Sequence, residues 1–271
     1  MATSTQWQLA ASAAGRYEEV LVPSILGPAA QALVAWAVLK PGEHFADIGC
    51  GTGAATRFAA KAVGRTGRAI GIDINPGMLA VAKSALAGEA AATQWIEAGA
   101  DSLPLPDQSL DAVLCAQTLQ FLKDRPAALG EMRRVLKPGG RAMVSLWCGL
   151  ADNPYFDALV AAIAKRIDPE TAMGLGAAFQ LSNAEEIHTL FLNAGFPSVE
   201  MTVAQCDLDL PRVAEFVPRH VGATPMAAGF NAASQNVRDL IVEDVASRLA
   251  SYRTESGIRV PFRTNLVKAK R

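Results

Sequence analysis

Asp47-Ile48-Gly49-Cys50-Gly51-Thr52-Gly53 sets an acid two positions ahead of three glycines at alternate positions. An apolar run beginning at Phe45 ends in that acid, and a helix-compatible segment, Ala54 to Val63, follows the last glycine. Glycine tolerates positive φ and lets a ligand approach the backbone, so a glycine-rich strand-to-helix turn is a ligand-binding turn. Spacing alone does not choose the ligand, because Gly49-x-Gly51-x-x-Ala54 also passes as a loose dinucleotide fingerprint. The acid discriminates further. A carboxylate at the mouth of the turn would repel a pyrophosphate and would suit a ligand carrying an ammonium and a sulfonium, the charges of S-adenosylmethionine. Asp73 closes a second strand-like run, Ala69 to Ile74, 20 residues after Gly53. An acid there can accept hydrogen bonds from both ribose hydroxyls in either ligand class. The competing reading is that both acids only cap the helices that follow them.

These residues need elements to hold them. Strand and helix signals alternate from 30 to 147. A helix over Ala30 to Leu39 is stopped by Lys40-Pro41-Gly42, and strands are expected over His44 to Ile48, Ala69 to Ile74, Thr93 to Glu97 and Leu110 to Ala116. The last of these is a nearly continuous apolar run, as in a strand buried on both faces. A helix from Pro126 to Leu136, capped by Asp124, precedes a fifth strand over Arg141 to Trp147. Strands alternating with helices imply a parallel sheet covered on both faces. Beyond Trp147, residues 148–182 and 211–257 read as irregular helical insertions around a helix at Ala184 to Leu192 and strands at Val199 to Leu210 and Val260 to Ala269. The expected division is one domain. Its core runs over about 30–147, 183–210 and 258–271, and its lid or cap over about 1–29, 148–182 and 211–257.

Composition bounds the class. The 271 residues are 51% hydrophobic and 19% charged, with 25 Lys plus Arg against 26 Asp plus Glu, which suits a folded globular protein with no overall nucleic-acid footprint. The four cysteines at 50, 115, 148 and 206 form no C-x-x-C pair and read as reduced thiols, so a cytoplasmic location is expected. Three scattered histidines, His44, His188 and His220, give no zinc pattern, and no metal is expected. Neither a signal peptide nor an apolar run near membrane-spanning length is expected, and hence no stable membrane association.

Leu103-Pro104-Leu105-Pro106-Asp107 and Glu131-Met132-Arg133-Arg134-Val135-Leu136-Lys137-Pro138-Gly139-Gly140 add a resemblance. With the acid-glycine turn, the chain resembles the class I S-adenosylmethionine-dependent methyltransferases, in the branch that includes ubiquinone and menaquinone biosynthesis enzymes (methyltransferase type 11). The resemblance implies a Rossmann-like, doubly wound, mostly parallel seven-stranded sheet with helical lid insertions, and S-adenosylmethionine as cofactor. It assigns Asp47 and the backbone of Gly49, Gly51, Thr52 and Gly53 to the methionine end, and Asp73 to the ribose. Ile74 and Met78 would pack on the adenine, to which Ala100 would offer its amide. Ala116 and Gln117 would line the route to the methyl group, and Tyr17 would close over the cofactor. The family usually carries an acid at the position of Gly99. Either Asp101 takes over its role, or a carbonyl or water serves the adenine amine, and Asp101 is then a solvated turn residue.

Methyl transfer is an in-line displacement in which the protein supplies alignment and exclusion of water, so no fixed triad is required. Polar groups near the methyl are expected among Gln117, Gln120 and His220, with His220 or Gln117 as candidate catalytic groups and Tyr17, Gln120 and His220 as substrate contacts. Ala116-Gln117-Thr118-Leu119-Gln120-Phe121 is not the Asn/Asp-Pro-Pro-aromatic motif of enzymes acting on base or glutamine amino groups. With Phe156, Phe179, Phe216, Met226 and Phe230 in the insertions, a small, largely apolar acceptor is expected, its O, N or C atom open. The alternatives are a nucleic-acid or protein methyltransferase, and a cofactor-binding protein without methyl transfer.

Overall fold

The computed structural model describes residues 11–86, 91–224 and 226–271. Residues 1–10, assigned to the cap above, lie outside the described residues. The chain starts with helix α1 (Ala11–Arg16), a π-helical stretch (Tyr17–Leu26) and α2 (Gly27–Ala37). There follow β1 (His44–Ile48), α3 (Ala54–Val63), β2 (Arg68–Asp73), α4 (Pro76–Ala85), β3 (Ala92–Glu97), β4 (Leu110–Ala116), α5 (Arg125–Val135) and β5 (Leu136–Trp147). Then come α6 (Pro154–Arg166), α7 (Pro169–Gly176), α8 (Ala184–Asn193), β6 (Ser198–Pro211), α9 (Val213–Gly222), α10 (Ala227–Ala232), α11 (Gln235–Arg248) and β7 (Gly257–Lys270).

One seven-stranded sheet has the order β3-β2-β1-β4-β5-β7-β6. Strands β1 to β5 pair in parallel, while β7 runs antiparallel to both β5 and β6. The doubly wound architecture is therefore the one expected. The apolar runs of β1 and β4 are buried because helices cover both faces. Phe45, Leu114 and Met143 pack with Leu33 of α2 and Ala59 and Val63 of α3. On the opposite face Ile48, Val113 and Val144 pack with Leu129 and Met132 of α5 and Phe191 of α8. Asp124 caps α5 as its position suggested, accepting from the Ala127 amide at 2.9 Å.

The two motifs that carried the family resemblance meet in space. Glu131 Oε2 accepts from the Leu103 amide at 2.7 Å, and the Arg134 guanidinium donates to the carbonyls of Leu103 and Leu105. This α5 clamp fixes the loop that leaves β3. Strand β5 departs from expectation by starting at Leu136 rather than Arg141, because Leu136 already pairs with Leu110 and the register then shifts before Arg141 meets Ala112.

A second correction concerns the N-terminus. Ala13–Ala37 is one continuous 25-residue helix of mean hydropathy 1.6 over its most apolar window, long and apolar enough by length and composition to cross a membrane. Residues 20–37 carry no charge, but Pro23, Gly27 and Pro28 masked this run as broken. Pro23 lies inside the π-helical stretch, whose wider turn accommodates it. In the fold 56% of the window is buried. Val20, Leu21 and Ile25 join Tyr155, Phe156, Phe216, Val221, Ile241 and Val245 in a separate apolar cluster. That cluster also takes in Leu208, Leu210, Val260 and Phe262, where the β6–β7 ribbon runs past the rest of the sheet.

Candidate functional site

The strand order reverses between β1 and β4, and a crevice opens at the carboxyl ends of such strands. There lies a cavity of about 240 Å³. The glycine turn forms its floor. The Ile72 carbonyl accepts from the Gly49 and Cys50 amides at 2.7 and 2.9 Å, which curls the turn over the end of β2. Gly51 has φ +54° and no atom within 4 Å of where a Cβ would stand. Gly49 serves packing instead, because a Cβ there would meet the Thr118 side chain at 2.1 Å.

Asp73 stands at the wall held by backbone donors: Oδ2 accepts from the Gly51 amide and Oδ1 from the Asn75 amide, each at 2.8 Å. Burial pushes its pKa up despite those donors. Asp47 is placed differently from the expected mouth of the turn. It is wholly buried beneath it, off the cavity wall, with Oδ2 accepting from the Thr56 hydroxyl at 2.6 Å and Oδ1 without a partner. Burial raises its pKa to about 6.

Tyr17, Gly49, Gly51, Asp73, Ile74, Met78, Ala100, Asp101 and Gln117 all line this cavity, so nine of the residues singled out above come together. Thr52, Gly53 and Ala116 lie off its wall. Gly53 is the N-cap of α3 and abuts Trp95, where a Cβ would come within 2.8 Å. Gly99 and Asp101 share one space: a Cβ on Gly99 would lie 2.6 Å from Asp101 Oδ1. The missing side chain at 99 thus leaves room for the carboxylate two residues on. Asn75, Thr118, Phe121, Leu122, Lys123 and Asp124 also line the cavity and were not assigned to the ligand from sequence. Only Phe121 carried a usable signal, as an aromatic close behind the β4 terminus.

A smaller cavity of about 40 Å³ shares Tyr17, Gln117 and Phe121 with the first. Leu21, Ile25 and Leu26 of the π-helical stretch, Trp147, Leu175 and His220 complete it. His220, expected near the methyl group, is therefore in this inner chamber. Gln120, expected beside it, is buried but on neither wall. Phe156, Phe179, Phe216, Met226 and Phe230 are buried in the separate apolar cluster and line neither cavity. Their rings pack the cap helices, with Phe156 edge-on to Trp147 at 4.5 Å. His188 borders a shallow depression with Glu185, Thr189 and Met201, between α8 and β6.

The charges at the outer wall are Asp73, Asp101 and Asp124 against Lys123, with Asp47 below. Such a wall favours a cation and opposes a pyrophosphate. The Gly51 amide, which a phosphate would need, is already given to Asp73.

Residues 46–144 match the family model described as a methyltransferase domain. A ubiquinone/menaquinone biosynthesis C-methyltransferase UbiE from Burkholderia mallei (strain SAVP1) is 42% identical over 111 residues, 41% of this chain and 46% of that one. The Burkholderia vietnamiensis enzyme is 43% identical over the same length. The chain thus matches about half the length of these curated relatives. Among solved structures, Haemonchus contortus phosphoethanolamine N-methyltransferase 2, bound to phosphomonomethylethanolamine and S-adenosylhomocysteine, superposes with a TM-score of 0.60 at 20% identity. The match covers 98% of this chain and 58% of that one. A protein from Anabaena variabilis, described as a methyltransferase of an antibiotic biosynthesis pathway, gives 0.63 at 17% identity over 92% and 98%. At such identities these two speak for the fold. Sheet order, the acid-glycine turn and the sequence match over residues 46–144 agree in supporting a class I S-adenosylmethionine-dependent methyltransferase of the ubiquinone/menaquinone-biosynthesis-like, type 11 branch.

Proposed function

We propose that this chain transfers a methyl group from S-adenosylmethionine to a small, largely apolar organic acceptor. The observation that carries this reading is the pair of cavities meeting at Tyr17, Gln117 and Phe121, one acidic and one apolar and small. The residues of the outer cavity fit the cofactor. Asp73 faces the cavity with acceptor capacity left for the ribose hydroxyls, Gly51 leaves open space, and Asp47 has a buried oxygen beneath the turn, unpartnered among the described residues, that would attract an ammonium. Ile74 and Met78 would flank the adenine, with Ala100 and Asp101 beside it. When bound, the cofactor supplies an electrophilic methyl carbon on sulfur.

The chain's own part is alignment and exclusion of water. Tyr17 is partly buried, and desolvation followed by the Asp73 and Glu18 charges drives its pKa up, so it stays a neutral phenol between the chambers. The family match ends at 144, before the cap residues Leu175 and His220 that build the inner chamber, so the acceptor of the UbiE relatives does not transfer with the match. Their description as C-methyltransferases of quinone biosynthesis supports an apolar ring compound as the kind of acceptor. We assign cofactor binding to the core (30–147, 183–210 and 258–271) with Tyr17 added from the cap, and acceptor choice to the cap together with Gln117, Phe121 and Trp147 of the core. A reducing, cytoplasmic setting belongs to the same reading, supported by four unpaired cysteines of which three are buried. Calorimetry is the test. S-adenosylmethionine and S-adenosylhomocysteine should bind at micromolar levels without added metal. Binding of a nicotinamide dinucleotide and of neither of these would overturn the proposal.

A further inference from the structure

The inner chamber is uncharged yet not purely apolar. Leu21, Ile25 and Leu175 give it an oily wall, to which Trp147, Gln117 and His220 add polar groups. Among the described residues, the Trp147 Nε1–H and both amide atoms of Gln117 are buried without a hydrogen-bond partner. An unpaired buried donor costs about 1–3 kcal/mol, so a ligand that accepts from it recovers that energy.

His220 can be assigned a proton position. Its Nδ1 lies 2.7 Å from the Tyr155 hydroxyl, and both residues are almost fully buried. If Tyr155 donates, its proton and the Nδ1 lone pair are both satisfied. If Nδ1–H donated instead, the tyrosine proton would be left buried and unpaired. Tyr155 is therefore the donor, and the single ring proton sits on Nε2. Burial lowers the His220 pKa to about 3, so the ring remains neutral at ordinary pH. The geometry turns the sequence-level candidate base into an N–H donor.

We propose, resting on the methyltransferase reading above, that the inner chamber takes the acidic hydroxyl of a phenol or enol as its oxyanion, with Trp147 Nε1–H and His220 Nε2–H donating to it, Gln117 assisting, and Tyr155 as the positioning residue that fixes the His220 tautomer. A protonated amine would find one acceptor, Gln117 Oε1, against the two donors Trp147 Nε1–H and His220 Nε2–H. A phosphate dianion would find no cation on the wall. A singly charged oxyanion, in contrast, finds donors on the protein and its counter-charge in the cofactor's sulfonium. The hydroxyl proton leaves to solvent on binding. An oxygen lone pair, or the π pair at a ring carbon conjugated with it, would then form the bond to the methyl carbon while the carbon–sulfur pair stayed on sulfur as a thioether, so that both charges vanish. After attack at carbon, the hydrogen on that carbon would leave to solvent and the oxygen would take a proton back, restoring the hydroxyl. At about 40 Å³ the chamber is roughly three times the ~10–15 Å³ that one water requires, so only the reacting end of the acceptor is enclosed there.

The test uses the full chain and 4-nitrophenol, whose ionised form absorbs in the visible. Sinefungin, with an ammonium in place of the methylsulfonium, and neutral S-adenosylhomocysteine are compared as the bound nucleoside. Tyr17 and Tyr155 are the other titratable groups at or against the chamber, and burial moves both upward, so a visible titration near neutrality belongs to the probe. Among the described residues no carboxylate or cation lines it; Glu18 and Arg57 pair with each other beside Tyr17. With sinefungin bound, 4-nitrophenol should ionise about 1–3 pH units below its free value, and less so with S-adenosylhomocysteine. Trp147→Phe and His220→Phe should each return much of the shift, His220→Gln should retain more of it, and Tyr155→Phe should act through His220. An unshifted or raised pKa, absent binding of the phenol, or equal binding of aniline would overturn the proposal. Calorimetry of sinefungin on the same samples separates the two readings. If sinefungin binds, the methyl-donor site stands and only the acceptor class falls. If it does not, both fall.

Discussion

Asp73 ties the turn to the ligand, since the carboxylate that holds the Gly51 amide is also the one offered to the ribose. Asp73→Ala should weaken S-adenosylmethionine binding by about 1–3 kcal/mol, the loss of hydrogen bonds to a charged acceptor. Calorimetric affinity equal to wild type would remove the ribose assignment. Gly51→Val should abolish binding while the far-ultraviolet circular dichroism persists. Its side chain would stand in the cofactor space, and a β-branched residue at φ +54° is strained as well. Asp47 yields a pH prediction. Its folded pKa is about 6, against about 3.9 in an unfolded chain. Between those values the folded state holds more protons, so apo stability should fall as pH rises from about 4 to 6, by roughly 3 kcal/mol in all. Thermal melts of Asp47→Asn should lack that decline, and cofactor should raise the wild-type melting temperature more at pH 7.5 than at pH 5. A wild-type curve that rises through this window would show Asp47 ionised without cost. The turn itself was legible because its residues are consecutive. The burial of Asp47 was not, because it depends on Thr56 folding back from α3.

Elements were legible where apolar runs had clean ends. Strands β1 and β4 and helix α5 fall within a residue or two of expectation, because Asp, Gly and Pro punctuate them and their faces are buried. The N-terminal helix was not legible, since Pro23 and Pro28 read as breakers and only contacts with the cap make a long helix worthwhile. Trp147, Leu21 and Leu175 escaped for a related reason: an apolar residue lining a chamber looks in sequence like one filling a core. That helix is also latched. Glu18 pairs with Arg57 at 2.6 Å, and Arg57 donates to the Thr52 carbonyl of the glycine turn at 2.6 Å. The pair is partly exposed, so its share of global stability is about 1 kcal/mol or less. Glu18→Gln should leave the melting temperature within a few degrees of wild type, yet speed amide exchange over Tyr17–Leu26 and weaken cofactor binding several-fold. If exchange there is unchanged, the helix is held by its apolar face alone.

At the scale of the molecule, the proposed cap joins the sheet through a few polar ties and an apolar cluster shared with the β6–β7 ribbon. Asn153 donates to the Cys148 and Gly149 carbonyls and accepts from the Arg263 amide, while Asn265 donates to the Ser182 carbonyl. These ties pin both ends of the 148–182 insertion to β5 and β7. The π-helical stretch, tied to the glycine turn through Glu18 and Arg57, and α9 face the core across the inner chamber, through Tyr17, Leu21, Ile25 and His220. They are the parts expected to respond to ligand, and closure there would exclude water from the sulfonium. Hydrogen exchange with and without S-adenosylhomocysteine should therefore show added protection in the glycine turn, in Tyr17–Leu26 and in α9, with smaller changes in α6. Enclosure explains why the gain should extend beyond the turn: an acceptor enters a chamber of this size only when the helices over it part, and the cofactor supplies one wall when they return. If the turn alone responds, and both insertions are already as protected as β4, the cap is a rigid layer. The acceptor must then enter a preformed chamber through the outer cavity before the cofactor binds.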